Sequence, residues 1–365
     1  MTAPRSRLSS RPRDAHIRER RSHDRRGLVR PFANSQRLSP EAVAWVTENV
    51  ARGVSVRELT STLIEGGVEQ SVAHRGMREL ARSVATPALR LAIGRASRAA
   101  EVASLQTRLR RTTALEVVSE LPAASEFFAR YWATNTPLLI RGFVHQWPKP
   151  PRWSLASLRE RFGDTEIEIA ANRDAHESPE LIFAALRRQI ALREFLDRVE
   201  GEPSNDAYLV ARNAVLAGPL SALLDEVELP TEVFDPALLK VGVAMWLGPA
   251  GTLSKLHHDE SNTMLCQVIG RKRVRLVPPT MLEVVDTARG FHAMISADEV
   301  AAREAGCCYE ATLEAGDAVF IPVGWWHEVE SLSPSLSLAL VSFRKDNHYG
   351  YVPGLAPAAR AKSGQ

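Results

Sequence analysis

The chain has 365 residues, of which 45% are apolar and 24% are charged, and its formal net charge is +3. This composition is typical of a globular protein of one or two domains, and the small net charge excludes nucleic-acid binding by overall charge alone. Three cysteines, an odd and low number, argue against a disulfide scaffold and favour a reducing compartment, and no apolar run approaches the roughly 20 residues of a membrane-spanning helix. We therefore expect a cytoplasmic protein without a membrane segment.

The first part of the chain is strongly basic. Residues 1–30 contain ten arginines and three acidic residues, with few long apolar side chains. Such a segment cannot bury a core, so we predict that residues 1–37 form a disordered basic tail. A solvated tail is the simplest interpretation. Contact with an acidic partner or nucleic acid, or a transit peptide, are the alternatives.

Residues 38–112 are predicted to form a helical segment. Ser39 stands where an N-cap is expected and Pro40 at the first helical position. Ser55 and Glu58 have the spacing of a capping box at the start of a second helix. Such a set is typical of a small bundle that mediates an interaction or homodimerisation, and DNA recognition by a helix-turn-helix is the alternative.

From residue 113 the pattern changes to short apolar runs separated by glycine, proline and aspartate. Two helical stretches, "SEFFARYWAT" and "LREFLDRVEG", interrupt these runs. Many short strands with turn residues between them are typical of a barrel or sandwich with attached helices. The predicted strands are "PLLIRGF", "TEIEIA", "AYLVAR", "KVGVAMWLG", "MLCQVIG", "KRVRLVPP", "AVFIPV" and "SLSLALVSF".

The stretch "SKLHHDESN" suggests a metal site. On an extended strand His257 and Asp259 share one face, whereas His258 points to the other. A third ligand is supplied by His327, which follows the turn and strand of "GDAVFIPVGWWHEVES". Two histidines and one carboxylate form the facial triad that leaves coordination positions open on Fe(II). Surface or core histidines are the alternative interpretation, since a His-x-Asp pattern alone is common.

A hairpin that turns at Gly270 places one lysine on an apolar face. On the returning strand Lys272 shares its side with Val274 and Leu276. A buried ammonium group requires an anion, and beside a facial-triad iron the expected anion is the distal carboxylate of 2-oxoglutarate. A lysine at the surface is the alternative. The other side of the strand carries Arg271, Arg273 and Arg275.

Three motifs together resemble the cupin-like, JmjC-type Fe(II)/2-oxoglutarate oxygenases over roughly residues 115–350. The first includes "PLLIRGF" and the paired Trp147 and Trp153, the second is "MWLGPAGTLSKLHHDESNTMLCQVIGRKRVRLVPP", and the third is "LEAGDAVFIPVGWWHEVESL". The resemblance implies a mainly β domain over residues 113–365. Its core would be a double-stranded β-helix, also called a jelly roll, with flanking helices.

The resemblance also implies roles for individual residues. It makes His257, Asp259 and His327 the iron ligands and Lys272 the partner of the 2-oxoglutarate carboxylate. Further contacts with the cosubstrate are implied for Ser254, for Asn262 or Thr263 with the register left open by one residue, and for Tyr208, whose alternative is core packing.

Two further side chains could take part. Arg344 stands where other 2-oxoglutarate oxygenases place an arginine for the cosubstrate, but Lys272 already fills that role. Trp325 would share a face with His327 and line the pocket, with core packing as the alternative.

The activity implied by the resemblance is hydroxylation of an unactivated C–H bond with Fe(II), 2-oxoglutarate and dioxygen. The expected substrate is a peptide or protein side chain, and the family also includes small-molecule and tRNA-base branches. One alternative is a metal-dependent cupin enzyme that does not use 2-oxoglutarate. Another is a non-catalytic binding scaffold in which the tail and helical segment do the work.

Overall fold

The computed structural model describes residues 37–51, 55–84, 87–109, 114–281, 284, 288, 290–303, 308–347 and 349. It divides into two compact units between Val102 and Ala103. The predicted basic tail, apart from Arg37, and the predicted boundary at residue 112 lie outside the described residues. The three predicted domain ranges stay predictions.

The N-terminal unit contains helices at the predicted places. The first two helices are capped by serine side chains, since Ser39 Oγ accepts from the Ala42 amide and Ser55 Oγ from the Glu58 amide, both at 3.2 Å. None of the described helices is both long and apolar enough to cross a bilayer. The helices of this unit are α1 Pro40–Ala51, α2 Val56–Glu65 and α3 Gln70–Val84, and a fourth helix, α4 Pro87–Leu109, spans the division at residue 102.

The first three helices and Val68 in the loop after α2 form a small apolar core, to which each helix contributes a pair of residues four positions apart. Such spacing places them along one side of each helix. The buried residues of this core are Ala42, Val46, Leu59, Leu63, Val68, Val72, Ala73 and Met77.

The second unit is mainly β, which confirms the predicted jelly-roll core with flanking helices. Its strands are β1 Val117–Val118, β2 Leu138–Ile140, β3 Glu166–Ala170, β4 Arg187–Ala191, β5 Val243–Gly248, β6 Leu253–His257, β7 Thr263–Ile269, β8 Lys272–Val277, β9 Tyr309–Leu313, β10 Ala318–Ile321, β11 Trp326–Ser331 and β12 Ser335–Leu340. Its helices are α5 Ala124–Glu126, followed by a π-helical turn Phe127–Trp132, and then α6 Leu155–Phe162, α7 Phe183–Leu186, α8 Leu192–Val199 and α9 Ala297–Arg303.

Two sheets face each other across the site. The larger has six strands in the order β1-β2-β10-β7-β12-β5, and the smaller has four in the order β6-β11-β8-β9. A separate pair is formed by β3 and β4. Every pairing except that of β1 with β2 is antiparallel. Antiparallel strands in two stacked sheets are the architecture expected of a jelly roll.

The alternation of side chains along the strands separates two apolar layers. On β10, Val319 and Ile321 point between the sheets, whereas Phe320 belongs to the layer packed against the helices. On β7, Leu265 likewise points between the sheets and Cys266 away from them. The site therefore opens into the space between the two sheets. Further apolar side chains pack against the outer face of each sheet.

The turn predicted at Gly270 is present in the structure. Gly270 lies between β7 and β8 with φ +72°, and a Cβ there would meet the Pro334 carbonyl oxygen at 2.0 Å, so glycine is required.

The prediction that "AYLVAR" forms a strand is wrong, because this segment pairs only through single bridges at Tyr208 and Leu209. The chain then enters a tight turn at Ala211–Asn213, which ends the pairing.

The turn before β10 is held by a buried carboxylate. Asp317 accepts hydrogen bonds at 2.9 Å from the Gly142 and Glu314 amides, and it pairs with Arg141. Since Asp317→Ala leaves these donors without an acceptor, we expect it to lower the free energy of unfolding by about 2 kcal/mol. Urea unfolding measures this. Glu314→Ala, which removes an exposed acid of the same turn, is the control, and an equal effect of both changes would contradict the interpretation.

Candidate metal centre

Pairing between two strands brings the histidines together. His257, the last residue of β6, is the Cα partner of His327 near the start of β11. The centroids of the two rings are 4.1 Å apart. Directly opposed residues of an antiparallel pair share one face, so both rings enter the space between the sheets.

The orientation of both rings is fixed by backbone carbonyls. Nδ1 of His257 lies 2.7 Å from the Lys255 carbonyl oxygen, and Nδ1 of His327 lies 3.0 Å from that of Trp325. Because a carbonyl oxygen only accepts, each Nδ1 carries the proton in a neutral ring. This leaves Nε2 of each ring with a free lone pair, which is the form that binds a metal.

Asp259 completes the cluster from the loop after β6. Ligand atoms of His257, Asp259 and His327 all lie within 4.8 Å of one another. One Asp259 carboxylate oxygen is 3.7 Å from His327 Nε2 and 3.4 Å from the Thr263 hydroxyl, and the side chain is 43% exposed. The three residues are therefore able to hold a metal, and their two imidazoles and one carboxylate match the facial set that suits Fe(II).

His258 faces away from this cluster, as alternation along the strand predicts. Its ring packs edge-on against Trp326 with centroids 4.5 Å apart, and it is buried. The metal cluster does not include it.

A β-bulge explains how Ser254 reaches the same cavity. Residues three apart on a regular strand point to opposite faces. The pairing of β6 with β11 shifts between His257 and Ser254, because three residues of β6 span two of β11. Both side chains consequently line the cavity.

Lys272 enters the cavity from β8 and is 1% exposed. Its ammonium group donates to the Tyr208 hydroxyl at 3.1 Å and lies 5.6 Å from the centre of that ring. No ion pair links it to a carboxylate of the described residues. A buried cation with one neutral partner fits an anionic ligand, which agrees with the predicted site for the 2-oxoglutarate carboxylate. Tyr208 is buried and lines the same cavity.

The structure separates the two residues whose register was open. Thr263 lines the cavity, whereas Asn262 does not. The Asn262 amide donates to Asn347 at 3.1 Å and Tyr349 at 2.7 Å, and its oxygen accepts from the Val323 amide at 2.8 Å. Asn262 therefore joins the loop before β11 to the C-terminal part of the chain. Of these two residues, Thr263 is the one placed to contact a molecule bound in the cavity.

The two further candidates lie outside the cavity. Trp325 packs in the core between the sheets and donates to the Asn135 side chain at 2.8 Å. It acts on the site through its carbonyl, which orients His327. Arg344 is exposed and donates to the Thr231 carbonyl.

Several cavity residues were not predicted. Most of them lie on loops, turns or short helices, and Trp246 lies on β5; no spacing to the triad marks any of them. These residues include Arg173, Glu180, Phe183, Arg212, Trp246 and His292. His292 bridges to His257 through the backbone, with ring centroids 5.8 Å apart.

Burial favours the neutral form of three histidines in or beside the site. The pKa of His257 is lowered to about 4, first by burial and second by the nearby His327. Burial likewise lowers the pKa of His258 and of His292. Neutral imidazole is the ligating form, so His257 is ready to bind a metal near neutral pH.

These shifts predict how the stability of the metal-free protein depends on pH. Because the folded pKa values lie below the ordinary value of about 6.5, the unfolded chain takes up protons first as the pH falls. We expect stability to be full above about pH 6.5 and to fall progressively toward pH 4. The midpoint of urea unfolding, measured at several pH values with a chelator present to keep the protein metal-free, tests this. His257→Gln should flatten the slope, and an unchanged slope would contradict the assignment to His257.

A known protein family matches the part of the chain that contains this site. The profile of the cupin-like domain family covers residues 124–344. The chain belongs to the cupin-like domain family. Its resemblance to JmjC-type oxygenases is thereby confirmed.

Curated relatives of this cupin-like protein carry JmjC names. It is 29% identical over 240 residues to Jumonji C domain-containing protein 5 of Drosophila melanogaster, covering 60% of this chain and 58% of the relative. It is 26% identical over 226 residues to lysine-specific demethylase JMJ30 of Arabidopsis thaliana, covering 58% and 51%. It is 25% identical over 272 residues to the human bifunctional peptidase and (3S)-lysyl hydroxylase JMJD7, covering 65% and 85%.

The matched part spans somewhat more than half the length of the first two relatives. JmjC oxygenases of this family use Fe(II), 2-oxoglutarate and dioxygen, and the cluster of His257, Asp259 and His327 suits such a metal.

Proposed function

We propose that this cupin-like protein is an Fe(II)- and 2-oxoglutarate-dependent dioxygenase that hydroxylates an unactivated C–H bond of a peptide or protein side chain. The observation that supports this proposal most directly is that one cavity contains both the triad and the buried Lys272. Among the described residues Lys272 has no anionic partner. A metal site alone would fit many cupins. The additional buried cation supports a dicarboxylate cosubstrate.

The residues of the chain divide the work of this reaction. His257, Asp259 and His327 would hold Fe(II), which supplies the oxygen-activating redox chemistry when bound. Lys272, with Tyr208 beside it, would orient the cosubstrate by its distal carboxylate. Thr263 lies within 3.4 Å of the Asp259 carboxylate and positions that ligand. Apolar side chains of the cavity, including Leu265, Ile321 and Val329, exclude water around these groups.

Hydroxylation is supported by the human relative whose name includes lysyl hydroxylase, of which the match covers 85%. Other relatives are named lysine-specific demethylases. Mass spectrometry separates the two outcomes, because hydroxylation adds one oxygen atom to the substrate, whereas demethylation removes a methyl group.

The test of the proposal is uncoupled turnover. Purified protein is incubated in air with Fe(II) and 2-oxoglutarate, and succinate is quantified. We expect succinate from wild type and none above background from His327→Ala. Iron binding without succinate would overturn the 2-oxoglutarate assignment and favour a different metal cupin. Absence of iron binding would favour the non-catalytic scaffold.

The predictions for location and assembly stay predictions. They comprise a cytoplasmic location, homodimerisation through the helical segment, and contact of the basic tail with nucleic acid or an acidic partner. Size-exclusion chromatography with light scattering tests the dimer directly.

A further inference from the structure

We propose that Arg212 selects the substrate by binding a carboxylate, so that the peptide modified by this protein carries an acidic side chain beside the target residue. The inference rests on the proposed function, because it concerns the charge left in the cavity once iron and 2-oxoglutarate are bound. It assigns a specificity-determining residue on a turn that no sequence pattern marked.

Arg212 lies in the cavity wall on a short turn that is held by side-chain hydrogen bonds. The turn Ala211–Asn213 follows Tyr208, the partner of Lys272, by only three residues. The Asn213 side chain stabilises this turn, because it accepts a hydrogen bond from the Val210 amide at 2.9 Å and donates one to the Glu168 carboxylate at 3.1 Å. The side chain of Arg212 lines the cavity and is exposed to solvent.

The guanidinium group of Arg212 has a stacking partner but no acceptor. It lies 5.6 Å from the centre of the Phe183 ring, which also lines the cavity. No hydrogen bond or ion pair to another described residue engages its N–H groups. Stacking of this kind orients an arginine while its planar row of donors stays free for a carboxylate.

The other charges of the cavity are compensated. Arg173 is 3% exposed and pairs with Glu180 at 3.1 Å, and it also donates to the carbonyl oxygens of Asn205 and Leu253. Iron(II) brings two positive charges and 2-oxoglutarate two negative ones. The negative charge of Asp259 and the positive charge of Lys272 cancel as well. Among the described residues that line the cavity, Arg212 is then the cation without a counter-charge.

A substrate with a negative group satisfies this cation, whereas a lysine side chain would meet repulsion. The proposal therefore predicts a preference opposite to the lysine named in several relatives. Arginine binds carboxylates through two parallel hydrogen bonds, which provides direction as well as charge. Loss of one such contact is expected to weaken peptide binding at least about tenfold.

The experiment selects peptides without turnover. Wild type, Arg212→Gln and Arg212→Glu are loaded anaerobically with Fe(II) and 2-oxoglutarate and used to select from a random displayed peptide library. Arg188→Gln is the matched control, because Arg188 is exposed on a neighbouring strand, donates to backbone carbonyls and does not line the cavity. The visible charge-transfer band of the iron complex is recorded for every preparation.

We expect wild type and Arg188→Gln to select peptides rich in aspartate and glutamate. Arg212→Gln should lose this preference and bind a selected peptide about tenfold more weakly by fluorescence anisotropy. Arg212→Glu should select lysine and arginine instead. The reversal of charge is a result that a merely structural role of Arg212 would not produce.

Other outcomes overturn the inference. These are neutral or basic peptides selected by wild type, the same acidic peptides selected by Arg212→Gln, or no peptide bound above the bare support. Displacement of a selected peptide by a mononucleotide would assign Arg212 to a phosphate and also overturn it. With the charge-transfer band present, such results leave the proposed function intact. Absence of the band removes the proposed function and the charge balance together.

Discussion

Asp259→Ala is expected to abolish binding of Fe(II) at micromolar concentration and to reduce succinate formation to background. Asp259 provides the one charged ligand of the cluster, and two neutral imidazoles hold a divalent ion far more weakly than two imidazoles with a carboxylate. We expect a loss in iron affinity of at least about 100-fold, since even partners outside the first ligand shell cost 10–100-fold. Anaerobic titration with Fe(II) and then 2-oxoglutarate, followed by the visible charge-transfer band, measures the loss.

The adjacent acid offers a matched control. Glu260 is exposed, follows Asp259 directly and is not part of the metal cluster. Glu260→Ala should keep the affinity of wild type. A band of unchanged strength in Asp259→Ala at equal iron concentration would show that the carboxylate is not a ligand. An equal loss in both variants would show only a general effect of negative charge in this loop.

Lys272→Met is expected to raise the concentration of 2-oxoglutarate needed for half-saturation by roughly 30- to 150-fold, corresponding to about 2–3 kcal/mol for a charge-assisted contact. Methionine has a similar length and no charge, so the iron ligands should be undisturbed. The same anaerobic titration measures the shift at saturating Fe(II). Arg271→Met is the control, because Arg271 neighbours Lys272 on the hairpin and its side chain is 53% exposed.

A stability measurement makes the interpretation of Lys272→Met unambiguous. In the metal-free protein Lys272 is a buried ammonium group whose described hydrogen-bond partner is the neutral Tyr208 hydroxyl. Burying such a charge is unfavourable, so Lys272→Met should leave the free energy of unfolding unchanged or raise it. A variant that is less stable than wild type and binds 2-oxoglutarate normally would contradict the assigned role.

The same charge logic connects the inner and outer parts of the cavity. Lys272 at the closed end is expected to bind an anion supplied with the cosubstrate, and Arg212 on the turn after Tyr208 an anion supplied by the substrate. Two cations at different depths would allow the protein to bind both ligands without competition between them. Lys272→Met and Arg212→Gln should therefore affect different titrations, the first that of 2-oxoglutarate and the second that of the peptide.

The part of the site carried by strands followed from the sequence. His257, His327 and Lys272 lie on β6, β11 and β8, and alternation along a strand is a local property that a sequence displays. The same alternation predicted that His258 points away, which its packing against Trp326 shows. The serine caps of the first two helices were also predictable, since a cap depends on residues three positions apart.

The remainder was decided by contacts between distant parts of the chain. Ser254 faces the cavity because the pairing of β6 with β11 contains a bulge, and a bulge depends on the partner strand. Asn262 lies outside the cavity because Asn347 and Tyr349, 85 and 87 residues later, engage its amide. Arg212 became a candidate only when the fold placed it in one cavity with the triad. Local spacing determines the side to which a strand residue points, whereas the position of loop residues depends on packing between elements far apart in sequence.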